Sequence, residues 1–183
     1  MIACKRDLIE YCKQDNFFAK QNKSRARYMK RIHDPESYVN KYLLFLRKQE
    51  YYLNTANRNK FKSLLALFYE RKKHKLGIKL GFNIPPNRFD EGLTIYHIGC
   101  LAINTTARIG KNCKLHGNNC IGNNGIVDKS PVIGDNVDIG FGAAVIGDIT
   151  IADNIKIGAN ALVNKSFTEP GITIAGVPAR RVK

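Results

Sequence analysis

Tryptophan is absent from this chain, methionine occurs twice, and the acidic residues number half the basic ones, 15 against 30 in 183 residues. Long apolar runs are also missing. The longest, Tyr42 to Leu46 and Leu64 to Tyr69, fall far short of the roughly 20 residues that cross a bilayer as a helix. Lys5 and Arg6 are not followed by an apolar stretch, so the start does not read as a secretory signal. No C-x-x-C pair occurs among Cys4, Cys12, Cys100, Cys113 and Cys120. Zinc-ribbon and thioredoxin chemistry therefore have no support, and no metal site is expected. The odd cysteine count suits small apolar fillers in a reducing compartment, and a chain of this length buries a core without disulfide staples.

The shortage of acids is local. Residues 1–80 hold 20 Lys plus Arg against 7 Asp plus Glu, a net of +13. Residues 81–183 hold 10 against 8, a net of +2. The change of character marks a boundary near Gly77 to Gly81. No recognised nucleic-acid motif accompanies the charge, so nucleic acid is not the expected partner. An anionic membrane surface touched from the cytoplasmic side suits it better.

The basic part reads as helical. Asp34-Pro35-Glu36 combines an N-cap, a proline at the first helical position and an acid in the first turn. Tyr38, Tyr42, Phe45 and Leu46 follow at helical spacing. A further helix is expected over Arg58 to Lys75, with Phe61, Leu64, Leu65 and Phe68 on one face and the run Arg71-Lys72-Lys73-His74-Lys75 at its C-terminal end. An earlier one is expected around Asp7 to Phe18. Gly77, Gly81 and Pro85-Pro86 are expected to break any helix.

Beyond residue 93 the periodicity changes. Every sixth residue from Ile103 is aliphatic: Ile103, Ile109, Leu115, Ile121, Val127, Ile133, Ile139, Val145, Ile151, Ile157 and Val163. Four positions after these come mostly small or aliphatic residues, and glycine, asparagine and aspartate crowd the turns between. A period of six is the signature of a hexapeptide β-solenoid. Three hexapeptides make one triangular coil of about 18 residues, coils stack at roughly 4.8 Å, and the repeat accounts for about four coils.

The repeat, with the ending Ala175-Gly176-Val177-Pro178-Ala179-Arg180, resembles the hexapeptide-repeat acyltransferases. Within them it is similar to the serine acetyltransferases, in particular to shortened relatives associated with surface-polysaccharide synthesis. The resembling stretches are IPPN (84–87), GLTIYHIG (92–99), ARIGKNCKLHGNNCIG (107–122), PVIGDNVDIGFGAAVIGDITIADNIKIGANALV (131–163) and IAGVPAR (174–180). The resemblance implies a mainly β protein: a left-handed parallel β-helix with a C-terminal tail over residues 81–183, preceded by a basic α-helical domain over residues 1–80. It implies a homotrimer with active sites between neighbouring prisms, and direct acetyl transfer from acetyl-CoA to a hydroxyl.

In such a family His97, six residues before Ile103 and so at a core phase but in the first, open coil, takes the proton from the acceptor hydroxyl, a task suited to an imidazole. His116, 19 residues later and close to one coil, is the second catalytic candidate. The alternative for His97 is a capping histidine hydrogen-bonded to backbone, and for His116 a surface histidine. On the donor side, Gly142, Ala143 and Ala161 would let the pantetheine arm run along the prism edge, with Lys165 and Arg180 meeting phosphates. Tyr96, Asp90 and Lys129 are the acceptor-side candidates.

The acceptor side departs from the serine acetyltransferase pattern. Tyr96 stands where an aspartate precedes the histidine. Asp128-Lys129-Ser130-Pro131 replaces Asp-Arg-His-Pro, and Asn83-Ile84-Pro85-Pro86 lacks the orienting carboxylate, a task left to Asp90 or Glu91. These departures lead to the expectation of a sugar hydroxyl as acceptor, in capsular or exopolysaccharide synthesis, with L-serine as the alternative and a non-catalytic solenoid scaffold as the reading from another class. The chain stops at Arg180-Arg181-Val182-Lys183, without the isoleucine-ended tail that such enzymes use to hold cysteine synthase, so no such complex is expected.

Overall fold

The structure, a computed structural model, describes residues 1–16 and 23–183. Among these are four helices. Helix α1 (Lys5–Gln14) starts where the Asp7 carboxylate accepts from the amides of Ala3 and Cys4 at 2.8 and 3.0 Å. Phe17 and Phe18, the expected end of this helix, lie outside the described residues. Helix α2 covers Lys23–Arg31. Helix α3 (Pro35–Asn54) begins as its sequence dictates, with the Asp34 side chain accepting from the Glu36 amide at 2.9 Å. Helix α4 (Lys60–Leu80) is capped by the Asn59 side chain at one end and by Gly81, at φ +79°, at the other.

Helix α4 therefore runs five residues past the expected end, and Gly77 sits inside it. The glycine there is a packing device: a Cβ would lie 2.5 Å from the Phe82 carbonyl oxygen and 3.2 Å from the Tyr42 ring. The buried face of α4 is Ala66, Lys73, Leu76, Gly77 and Leu80, whereas Phe61, Leu64 and Phe68 point outward.

From Phe82 onward the chain winds through three parallel sheets. One is built from β1 (Phe82–Asn83), β3 (Leu101–Ile103), β6 (Cys120–Gly122), β9 (Ala144–Ile146) and β12 (Leu162–Val163). The second is built from β4 (Arg108–Ile109), β7 (Val132–Ile133) and β10 (Thr150–Ile151), extended by bridges at Phe89 and Phe167. The third holds β2 (Thr94–Ile95), β5 (Lys114–Leu115), β8 (Asp138–Ile139), β11 (Lys156–Ile157) and β13 (Thr173–Ala175), closed by antiparallel β14 (Arg180–Arg181). Each strand is only two or three residues long, so stability comes from stacking: Ile95, Leu115, Ile139, Ile157 and Ile174 form one buried column, each in register with the next. Asparagine suits the corners because it tolerates the left-handed region. Asn112, Asn136 and Asn154 stand at φ +55° to +62° and pass side-chain hydrogen bonds up the stack at 3.0 and 3.1 Å.

Two expectations about the register need correction. Val127 is not a core residue; it is 43% exposed in a loop over residues 123–131 that leaves the prism. That coil takes 24 residues, Leu115 pairing with Ile139, instead of the 18 between Ile139 and Ile157. The extra length is one hexapeptide, so the aliphatic phase survives the excursion. His97 is likewise exposed and outside the core. The first coil takes 20 residues, Ile95 to Leu115, and its longer corner turns His97 outward. The core positions are Leu101 and Ile103.

The helices sit on this first coil and share its core: Val39, Tyr42, Leu43, Leu46, Leu76 and Leu80 join one apolar cluster with Phe82, Ile84 and Phe89. Beside it Arg47 is fully buried, its Nε donating to Asp15 at 2.7 Å, and its Nη1 to Glu50 at 2.9 Å and the Phe89 carbonyl at 2.8 Å. Burial works against the guanidinium charge, but Glu50 and Asp15 outweigh it and raise its pKa. Asp15 also accepts from the amides of Gly92 and Leu93 at 3.1 and 3.0 Å.

Candidate active site

Strand β2 delivers Tyr96 and His97 to an outer corner of the first coil. Its edge is held from both sides. The Tyr96 amide donates to the Leu115 carbonyl at 3.0 Å. Just before it, the Ile95 amide donates to the Asn16 side chain at 2.9 Å, and the Asn16 amide donates to the Leu93 carbonyl at 3.0 Å. The end of α1 thus closes the open edge of the strand that carries the histidine. Nothing in the local sequence of Asp15-Asn16 signals this, because the contact spans nearly 80 residues of chain.

The two candidate histidines lie in adjacent coils with a one-residue stagger. A layer here is 20 residues while the histidines are 19 apart, so His116 aligns with Tyr96, and Gly117 with His97. The rings of Tyr96 and His116 lie 4.6 Å apart between centroids. A Cβ on Gly117 would lie 3.3 Å from the Cβ of His97 and 3.1 Å from the Phe141 ring, so glycine there leaves room beside the His97 side chain. His116 is partnered in the layer above: its Nε2 lies 2.8 Å from Asp138 Oδ1. A carboxylate only accepts, so Nε2 carries the proton and Nδ1 is an acceptor when the ring is neutral. The sequence reading passed over Asp138, since the looped-out hexapeptide hides that it stands one layer above Lys114.

The other candidates are spread more widely. Asp90 is not with His97: its carboxylate takes the Tyr11 hydroxyl at 3.3 Å and lies 3.6 Å from the amino group of Met1. Glu91 pairs with Lys111 at 3.0 Å. Burial pushes its carboxyl up, but the Lys111 hydrogen bond and charge hold it below its ordinary value. Both carboxylates are committed to other partners than the base. Asn83 is exposed on β1. Lys129, in the loop, pairs with Asp148 at 3.1 Å.

On the donor side, Ala143 and Ala161 are buried in the prism, because they fill the second inward position of each hexapeptide. Their side chains do not reach the surface. Gly142 is at the surface, at φ +74°, where a Cβ would strike the Asn160 side chain. The outward column above His116 is Gly140, Gly158 and Ala175 by register. A Cβ on Gly158 would sit 2.8 Å from that of Ala175. This strip of small residues leads from His116 toward the C-terminal tail, where Arg180 is exposed. Lys165 is exposed too, its Nζ 5.4 Å from the Phe167 ring centroid. A cavity of about 650 Å³ lies elsewhere, among helical residues such as Met29, Tyr38 and Phe45. It shares no residue with the histidine corner. Among the described residues no three His, Cys, Asp or Glu side chains group as a metal site.

No family model matches the chain. It is 35% identical over 126 residues to a serine acetyltransferase of Staphylococcus xylosus, a match covering 63% of this chain and 58% of that protein. It is 36% identical over 88 residues to a serine acetyltransferase of Mycobacterium tuberculosis, covering 47% of this chain and 38% of that one. The chain thus spans about half the length of these two relatives. A solved structure of soybean serine acetyltransferase complexed with serine superposes with a TM-score of 0.71 at 25% identity, over 97% of this chain and 70% of that one. In sequence over part of its length, and in fold over nearly all of it, the chain is similar to serine acetyltransferases.

Proposed function

We propose that the chain is an O-acetyltransferase that moves acetyl from acetyl-CoA to the hydroxyl of L-serine. The single observation that carries this reading is the similarity to serine acetyltransferases, which extends through the strand bearing His97. It moves the acceptor from the sugar hydroxyl expected of the motif departures to serine. In this reading residues 81–183 form a left-handed β-helix that does the chemistry in a homotrimer. Residues 1–80 are a helical domain that braces its first coil. Five cysteines with no C-x-x-C pair among them suit a cytoplasmic setting.

His97 takes the proton from the serine hydroxyl as its oxygen bonds to the thioester carbonyl carbon. The carbon–sulfur bond then breaks, and the imidazolium returns the proton to the departing sulfur. His116, turned by Asp138 and backed by Tyr96, presents Nδ1 as a second polar group beside the acceptor. The strip Gly140, Gly158 and Ala175, with Gly142 at the corner, offers a narrow path for the pantetheine arm, and Lys165 and Arg180 supply cations for the phosphates.

A second reading, acetylation of a glycan hydroxyl, is favoured by Lys129. It stands where the serine enzymes carry the arginine that helps hold the amino acid, and it is exposed and paired with Asp148. The test is thiol release from acetyl-CoA by the full chain, with L-serine and with a panel of sugar acceptors. Release with serine supports the first reading, and release with sugars alone replaces it by the second. No release with any acceptor returns the chain to the scaffold reading.

A further inference from the structure

We propose that the outward face of α4 docks on an anionic lipid bilayer. The helix buries Ala66, Lys73, Leu76, Gly77 and Leu80 and turns its opposite side to solvent. On that side its first half carries Phe61, Leu64 and Phe68, spaced at three and four residues, with Phe61 69% exposed. Its second half carries Arg71, Lys72, Lys75 and Lys79, all exposed. The two halves are continuous, the Lys72 ammonium standing 5.3 Å from the Phe68 ring centroid. The only acid in the helix, Glu70, lies on its flank and is half-buried.

A soluble surface rarely shows a contiguous apolar stripe without a partner, and the charge decides which partner fits. A second copy laid on the stripe would bring four more cations and no acid. A nucleic acid would meet the cations and leave two phenylalanines and a leucine unused. The boundary between headgroups and acyl chains of an anionic bilayer takes both halves, apolar side chains below and cations at the phosphates. No helix among the described residues is long and apolar enough to cross a membrane, so the contact is one of lying on the surface. It stands apart from acyl transfer and from which acceptor is used.

The test is co-sedimentation of the full chain with phosphatidylcholine vesicles, with and without phosphatidylglycerol, at low and high salt. The wild type is expected to bind only the anionic vesicles and to let go as salt rises. Phe61→Ser/Leu64→Ser/Phe68→Ser should lower the partition by about tenfold or more. Arg71→Gln/Lys72→Gln/Lys75→Gln should lower it by about a hundredfold. Since these side chains are exposed, thermal unfolding of both variants should match the wild type. Should the serine triple unfold, Phe61→Ser alone carries the comparison, with a several-fold loss expected. Absence of wild-type binding to anionic vesicles at low salt would overturn the proposal, as would equal partition of the serine variants and the wild type. A wild-type assembly that the serine triple cuts to half its mass would overturn it too, by giving the stripe to a second copy.

Discussion

The interior of the prism is built almost wholly from Ile, Leu, Val and Ala stacked on their own copies, whereas the helical segment buries Arg47, Asp15, Glu50 and Lys73 beside its apolar residues. The first needs only a repeated pattern, because each coil meets an identical requirement from the coil below. The second must bring charged groups together from distant parts of the chain, Arg47 meeting Asp15 and the Phe89 carbonyl, and Lys73 the Ile84 carbonyl. Damage should therefore be graded and local in the prism, and concentrated at a few positions in the helices.

The largest effect should come at the corner where the two regions meet. His97→Ala should lower the rate of thiol release by about 10²–10⁴-fold while acetyl-CoA binding is retained, as for loss of a general base. Asp138→Asn, which keeps the shape but withdraws the charge from His116, should cost less and change KM for the acceptor more than kcat. A variant His97→Ala with most of its turnover would move the base to His116.

Next in size is the buried ion cluster. Arg47→Ala leaves Asp15 and Glu50 as buried charges without their cation, so a loss of about 3–5 kcal/mol in urea unfolding is expected. Ile151→Val in the prism trims one methylene from a stack, and about 0.5–1.5 kcal/mol is expected. Similar losses at both sites would dissolve the contrast between the two regions.

Lys73 gives a pH-dependent version of the same contrast. It is buried, its Nζ donating to the Ile84 carbonyl at 2.8 Å. Burial brings its pKa down from 10.5 to about 8, against the pull of Glu70 and Glu50. Between these values the unfolded chain binds more protons than the folded one, so this group makes stability rise with pH from about 8 to about 10.5. Lys73→Met should remove that rise, seen as a flatter dependence of the urea midpoint on pH across the window. A steeper rise in the variant would contradict the assignment.

The smallest effect should be at Val127. It keeps the phase of six but stands in the loop, so Val127→Ser should stay within about 0.5 kcal/mol. Ile133→Ser, one hexapeptide later and buried, should cost several times more. Equal costs would mean that the looped-out hexapeptide is packed in the prism.

The sequence alone carries the solenoid, since a period of six with aliphatic residues inward is a local rule repeated along the chain. It also determined the start of α3, because Asp34-Pro35-Glu36 carries its cap within three residues. It singled out His97 and His116 as the corner histidines, through the motif around them and their spacing of about one coil. Tertiary packing selects which hexapeptide leaves the stack, since a six-residue excursion preserves the phase and is invisible to periodicity. It alone paired His116 with Asp138, turned the Phe61, Leu64 and Phe68 face of α4 outward, and brought Asp15 and Asn16 to the edge of β2. The physical reason is the same in each case. Stacking repeats copy local information from layer to layer, while a buried charge, a staggered corner or a helix facing solvent depends on groups that meet only when distant parts of the chain pack.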